Sequence, residues 1–156
     1  MVTEAELSAC CASRRWVAAL AGRSHRDAAA LRAAGAEALD ELDWADVEEA
    51  LAGHPRIGER VREGTWSRGE QSGMDDAEAE VRAALLAGNR EYEERFGHVF
   101  LICASGRGAE EMLGDLRERL GNDTGTERAV VRRELARIVD LRLAKLMGEE
   151  DGPGRP

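Results

Sequence analysis

The residues of this chain best suited to acid–base chemistry lie in one stretch, His54-Pro55-Arg56-Ile57-Gly58 followed by Ser67, Glu70, Gln71 and Gly73. A histidine exchanges protons near neutral pH, and a carboxylate such as Glu70 beside it favours its protonated form. Pro55 fixes its own φ and drives His54 towards extended backbone, so the imidazole is presented from a rigid point. Gly53 marks the end of the preceding helix, and a helix C-terminus favours a cationic imidazole. The same residues allow a plainer reading, in which His54 caps its helix and Glu70 and Gln71 tie the loop down.

Other polar groups offer weaker signals. The turn Ser105-Gly106-Arg107-Gly108 precedes a helix, so its backbone N–H groups are placed for an anion. Arg107 adds a planar fork suited to a carboxylate or amide. The turn is neither a Walker nor a Rossmann loop, because no strand precedes it and the glycine spacing differs. Asn89 falls on an apolar helical stripe, where a buried amide commonly satisfies loop backbone. Arg142 on the last helix is placed either to pair with a buried acid or to extend to water. His25 and His98 show no metal-ligand spacing with His54, and Cys103 in an apolar run reads as inert core.

The elements that must position these groups read as helices. Thr3 and Glu6 form a capping box, and Ser24 and Asp43 are the expected caps of the next two helices. From Gly53 to about Asp75 the periodicity fails and glycines recur at 58, 64, 69 and 73. A loop of that length inside a compact domain tends to be functional. Asp75 or Asp76 then opens a long helix with the stripe Val81, Leu85, Asn89, Tyr92 and Phe96, closed by Gly97. After the apolar segment HVFLICA, a further helix runs to about Leu120. A final one spans about Thr126 to Met147, with Val131, Leu135, Ile138, Val139 and Leu146 on one line and Arg142 beside them. No period-two strand stands out. The expectation is an all-α, single-domain helical bundle with a long functional loop between the third and fourth helices.

Composition agrees with this outline and narrows the function. Hydrophobic residues make up 43% and charged residues 34%, dominated by the helix formers Ala, Leu, Glu and Arg. A net charge of −9, with basic residues scattered among acids, disfavours nucleic acid and anionic membrane as partners. Cys10, Cys11 and Cys103 form no CxxC pair, which suits unpaired thiols in a reducing compartment. The N-terminal residues lack a signal-peptide pattern, and Val99 to Ala104 is too short to span a bilayer, so the expected location is cytoplasmic. One domain is expected over 1–148, with 149–156 as a disordered tail.

Four motifs in order carry a more specific signal: HPRIG, SRGEQSG, N-x-x-Y-x-x-x-F-G from Asn89 to Gly97, and FLICASGR. Together with the final ERAVVRRELARIVDLRLAKL, this chain resembles the 2-oxo-4-hydroxy-4-carboxy-5-ureidoimidazoline (OHCU) decarboxylases. Those enzymes complete the route from urate to (S)-allantoin, and the likeness covers nearly the whole chain. It implies an all-helical fold, no metal or organic cofactor, a small ureidoimidazoline substrate and commonly a homodimer. It further implies that His54 is the catalytic histidine and that Glu70 works beside it. Ser67 and Gln71 would hydrogen-bond the ureido and ring groups, and Pro55 would shape the pocket. The backbone from Leu101 through Ile102 and Cys103 to Ala104 would line the opposite wall, followed by Ser105. Some family members place the substrate-binding arginine where this chain has Ser105, others two positions later, where it has Arg107. Two other readings are a non-catalytic acidic helical interaction module and a relative acting on another ureido-carboxylate.

Overall fold

A computed structural model describes residues 2–54 and 76–148, and over these the fold is all-α. The described helices are α1 (Glu4–Cys10), α2 (Arg14–Leu20), α3 (Ala28–Asp40), α4 (Trp44–Leu51), α5 (Asp76–Phe96), α6 (Ala109–Leu120) and α7 (Thr124–Leu146). The long excursion expected after Gly53 falls at residues 55–75, outside the described residues. Four described helices precede these residues, one more than expected.

The extra helix arises from a break that neither glycine nor proline announces. α1 has the expected capping box, with the Glu6 amide donating to Thr3 Oγ1 at 3.1 Å and the Thr3 amide to Glu6 Oε1 at 2.9 Å. At Cys11 the backbone turns extended, with φ −155° and ψ 121°. The buried Ser13 hydroxyl then accepts from the Trp16 amide and starts α2. The cap expected at Ser24 is supplied instead by Asp27, whose carboxylate accepts the Ala30 amide at 2.9 Å. A cap must sit three residues before the amide it holds, and Asp27 meets that spacing for a helix beginning at Ala28. Asp43 caps α4 as expected, in a reciprocal box with Asp46.

Gly53 does follow the end of α4, but not as a left-handed stop. Among the described residues only Gly22, Gly97, Gly106 and Gly148 have positive φ. At Gly53 a Cβ would stand 3.4 Å from Ala12 Cβ, an ordinary van der Waals contact, so neither φ nor space requires glycine there. Gly97 behaves as expected, terminating α5 at φ 84° with its amide bonded to Glu93 O at 2.8 Å. Asp123 accepts the Thr126 amide at 2.7 Å and so begins α7 slightly earlier than the apolar pattern alone suggests.

The contacts divide the chain into two compact units, one formed by residues up to Gly53 with those from Val130 onward, the other by His54 to Ala129. In the first, α1 packs on α2 and α2 on α3; Leu7, Trp16, Leu20 and Leu31 of these helices are buried, as are Val47 and Leu51 of α4. Trp16 is fully buried and donates its indole N–H to Gly35 O at 3.0 Å, so its polar edge is satisfied. α7 contributes Val131, Leu135 and Val139 from the expected stripe, continued by Leu143 and Ala144. Arg142 is exposed and leans on the end of α1, donating to Cys10 O at 3.3 Å and Ala9 O at 3.4 Å. In the second unit, α5 packs along α6 around Leu85, Tyr92, Phe100, Ile102, Met112, Leu113 and Leu116.

Candidate active site

Four of the expected site residues, Pro55, Ser67, Glu70 and Gln71, lie outside the described residues. His54 is described. It stands three positions past Leu51, after a turn in which the Ala52 amide donates to Glu48 O and the Gly53 amide to Ala50 O. Ala50 and Leu51 are buried, so α4 anchors this turn, while His54 itself is half-buried.

The segment expected as the opposite wall is built in a different way. Leu101, Ile102 and Cys103 are buried, whereas Ala104 and Ser105 are exposed. Ile102 joins the core between α5 and α6. The chain then reverses through a four-residue turn, in which the Arg107 amide donates to Ala104 O at 3.0 Å and Gly106 sits at φ 79°. A side chain at that φ is strained, and glycine adopts it without steric cost. Arg107 is only 20% exposed, and its Nη1 lies 3.6 Å from an Asp115 carboxylate oxygen, which orients the guanidinium. Helix α6 then begins at Ala109, with Gly108 as an N-cap that offers no side-chain hydrogen bond. Glu110 and Glu111 in its first turn already supply the negative charge that the helix N-terminus attracts.

Beneath this wall lies a polar cluster that the sequence patterns had not singled out. Arg119 and Glu127 are 6% and 0% exposed. Glu127 Oε2 accepts from Arg119 Nη2 at 2.6 Å, Arg119 Nε at 2.8 Å and the Tyr92 hydroxyl at 2.5 Å, and its Oε1 accepts from Asn122 Nδ2 at 3.0 Å. The remaining arm of the guanidinium, Nη1, donates to Leu101 O at 2.8 Å, and the group lies 4.5 Å over the Phe100 ring. The carboxylate thus has four donors, as a buried charge requires. Burial, with donation to the Glu127 carboxylate adding to it, pushes the Tyr92 hydroxyl far above the usual phenol range, so it serves as a fixed donor. A signal for this cluster does exist in the sequence. Arg119 falls on the Met112–Leu116 face of α6, and Glu127 continues the Val131–Leu135 line of α7 towards its start. Two opposite charges at core positions of adjacent helices imply a pair.

The three cysteines are buried and form no disulfide. Burial raises the Cys10 thiol above the ordinary range and pushes Cys11 up to about 11, which disfavours the thiolate at both. Among the described residues no group of three or more His, Cys, Asp or Glu side chains is placed to share a metal ion. No described helix is long and apolar enough to cross a membrane.

These features define an all-helical protein that sets a helix-end histidine and a short internally braced chain segment in one compact unit. Comparison with known proteins identifies the particular group. The family model for OHCU decarboxylase matches residues 2–144. The chain is 36% identical over 132 residues to the 2-oxo-4-hydroxy-4-carboxy-5-ureidoimidazoline decarboxylase of Amia calva, covering 81% of this chain and 75% of that one. It is 33% identical over 119 residues to the uric acid degradation bifunctional protein TTL of Arabidopsis thaliana, where the match takes up 37% of the longer protein. A crystal structure of OHCU decarboxylase in the presence of (S)-allantoin superposes with a TM-score of 0.79 at 27% identity, covering 92% of this chain and 98% of that one. The structure of an (S)-allantoin synthase, at 18% identity, shares the fold with a TM-score of 0.69. This chain belongs to the OHCU decarboxylase family.

Proposed function

We propose that this protein decarboxylates 2-oxo-4-hydroxy-4-carboxy-5-ureidoimidazoline to (S)-allantoin in urate breakdown. The observation that carries the reading is the family match over residues 2–144, which takes in the His54 loop and the Leu101–Arg107 segment together. The substrate holds a carboxylate and a hydroxyl on one ring carbon, beside a C=N bond. When the C–CO2 bond breaks, its electron pair forms a C=C bond in the ring, and the C=N pair passes to nitrogen, which takes a proton. The hydroxyl then loses its proton to become a carbonyl, and the neighbouring ring carbon gains one.

Two tasks fall to the protein: holding the breaking bond perpendicular to the conjugated ring, and moving protons on one face only. His54 takes part in proton transfer at the hydroxyl, with Glu70 polarising the imidazole. Ser67 and Gln71 hold the ureido and ring groups, Pro55 shapes the pocket, and the backbone of Leu101 to Ser105 forms the other wall. Arg107, kept in place by Asp115, is the cation for the substrate carboxylate or ureido group. General acid–base help of this kind contributes about 10²–10⁴-fold, and orientation adds to it. An apolar docking role finds little support, since Met147 is the only large hydrophobic residue that is exposed among the described residues. Buried thiols without a disulfide suit a cytoplasmic protein, and the family likeness suits a homodimer.

Freshly generated substrate mixed with purified protein tests the reading, by following the optical activity of the allantoin formed. Spontaneous decay gives racemate, so the expected result is faster decay with an excess of the (S) form. No acceleration and no enantiomeric excess overturns it. His54→Ala is expected to lose activity by at least about 10²-fold while keeping its helical circular dichroism.

A further inference from the structure

The buried ion pair beneath the wall has a geometry that stability alone does not explain. Replacing such a pair with apolar residues of similar volume is often neutral or stabilising, because desolvation consumes most of the Coulomb attraction. A methionine at 119 would keep apolar contact with Phe100 while losing the cation–π contact. What it would also lose is the third arm of the fork. Nε and Nη2 of Arg119 are held by Glu127, and Nη1 is thereby aimed at Leu101 O, 2.8 Å away. A lysine has a single nitrogen and cannot brace itself on a carboxylate and reach the carbonyl in this forked geometry. The Tyr92 hydroxyl and the Asn122 amide complete the shell of Glu127, so the brace cannot swing.

We propose that Arg119, locked by Glu127, is a positioning residue that fixes the Leu101–Ala104 backbone against which substrate binds. This rests on the reading of that segment as the substrate wall. Arg119 touches no reacting atom; it acts through the carbonyl of Leu101. Ordinary core packing holds the Leu101 and Ile102 side chains, and the hydrogen bond from Arg119 satisfies the Leu101 carbonyl and restrains its direction. Here that donor is charged, buried and immobile.

The experiment compares wild type with Arg119→Lys, with the doubly neutral Arg119→Met/Glu127→Gln, and with Tyr92→Phe, which leaves the Arg119–Leu101 bond in place. Three quantities are read: backbone amide exchange at residues 102–104 relative to amides within α5, the dissociation constant of (S)-allantoin, and kcat and KM on fresh substrate. In Arg119→Lys and in the double variant, exchange at 102–104 is expected to rise at least tenfold over the α5 amides. In the same variants kcat/KM should fall by up to about 100-fold, as misplaced binding groups cost. Tyr92→Phe is expected to stay within about threefold of wild type, since Arg119 keeps both its partners. A purely structural role would move all amides together and leave KM unchanged, and that result overturns the proposal. Should the double variant not fold, Arg119→Lys, which keeps the charge opposite Glu127, decides by the same readings. A wild type that makes no (S)-allantoin sinks the decarboxylase reading instead, and relative exchange at 102–104 still judges the brace.

Discussion

Gly88 in α5 sits where a methyl group has no room. A Cβ built there would lie 2.5 Å from Leu116 Cδ2 and 3.3 Å from Leu116 Cγ. Carbon atoms in contact prefer about 3.5–4.0 Å, so Gly88→Ala must displace Leu116 or part the helices by about 1 Å. Leu116 is fully buried within the cluster formed with Leu85, Tyr92, Phe100 and Ile102, which leaves it little freedom to turn. Two effects oppose each other. Alanine in a helix interior is favoured over glycine by about 0.8–1.0 kcal/mol, whereas overpacking a dense core costs about 1–3 kcal/mol. With both Cδ2 and the less mobile Cγ too close, the upper half of that range applies, and the net effect is a loss of about 1–2 kcal/mol. Gly114 in α6 is the matched control, because a Cβ there meets nothing within 4 Å and the position is exposed. Gly114→Ala should therefore gain about 1 kcal/mol. For a chain of this size the changes translate to a Tm lower by about 2–8 °C for Gly88→Ala and higher by about 2–4 °C for Gly114→Ala. Differential scanning calorimetry reads both. A Gly88→Ala protein that melts above wild type refutes the reasoning, since it would mean the α5–α6 contact yields at no cost.

Two further outcomes follow from the ion pairs. If Arg107 meets a substrate carboxylate, Arg107→Ala removes a charge-assisted hydrogen bond of about 1.5–3 kcal/mol, so steady-state kinetics should show kcat/KM reduced at least about tenfold. A change confined to stability, matched by Asp115→Asn, would reduce Arg107 to a partner of Asp115. In the first unit, Arg32 Nε and Nη2 donate to the two Asp140 oxygens at 2.8 and 2.6 Å, and these bonds hold the Asp140 carboxyl below the usual carboxylate range. A depressed folded-state value means the contribution is complete above the unfolded value, near pH 4, and is lost as pH falls through the folded one. The stability gap between wild type and Asp140→Asn, measured by urea unfolding, should thus be constant at neutral pH and close below about pH 4; the pair is partly exposed, so the gap is small.

Much of this was legible from local chemistry. The Thr3–Glu6 box, the Asp43 cap, the Gly97 stop and the bounds of α6 all follow from interactions spanning three or four residues, the range over which sequence patterns report. The break between α1 and α2 was not legible, because Ser13 reads as an ordinary polar residue until its burial beside Trp16 is known. Ser24 and Asp27 are equally good caps by type, and only the packing of α3 chooses between them. At the candidate site, His54 and the Leu101–Arg107 segment were picked out by turn punctuation and by motif order. Arg119 and Glu127 escaped notice because charged residues are mostly exposed by base rate. Their role depends on Leu101 O, which lies 18 positions away from Arg119 and on another element.

The spacing of the buried cluster along the chain bears on the order in which the protein assembles. Arg119 and Glu127 are eight residues apart, joined only by the turn between α6 and α7, whereas Tyr92 is 35 residues from Glu127. Closing the shorter loop is cheaper by about 1.3 kcal/mol of chain entropy. The expected order is that guanidinium and carboxylate meet while both are still hydrated, and that α5 afterwards lays Tyr92 over a pair whose charges already cancel. On that order the tyrosine bond forms after the rate-limiting step. Stopped-flow measurements on Tyr92→Phe should then find faster unfolding with an unchanged folding rate, and a slowed folding rate would reverse the sequence of events. A cluster that holds the Leu101 carbonyl in the finished protein thus also bears on when its most costly desolvation takes place.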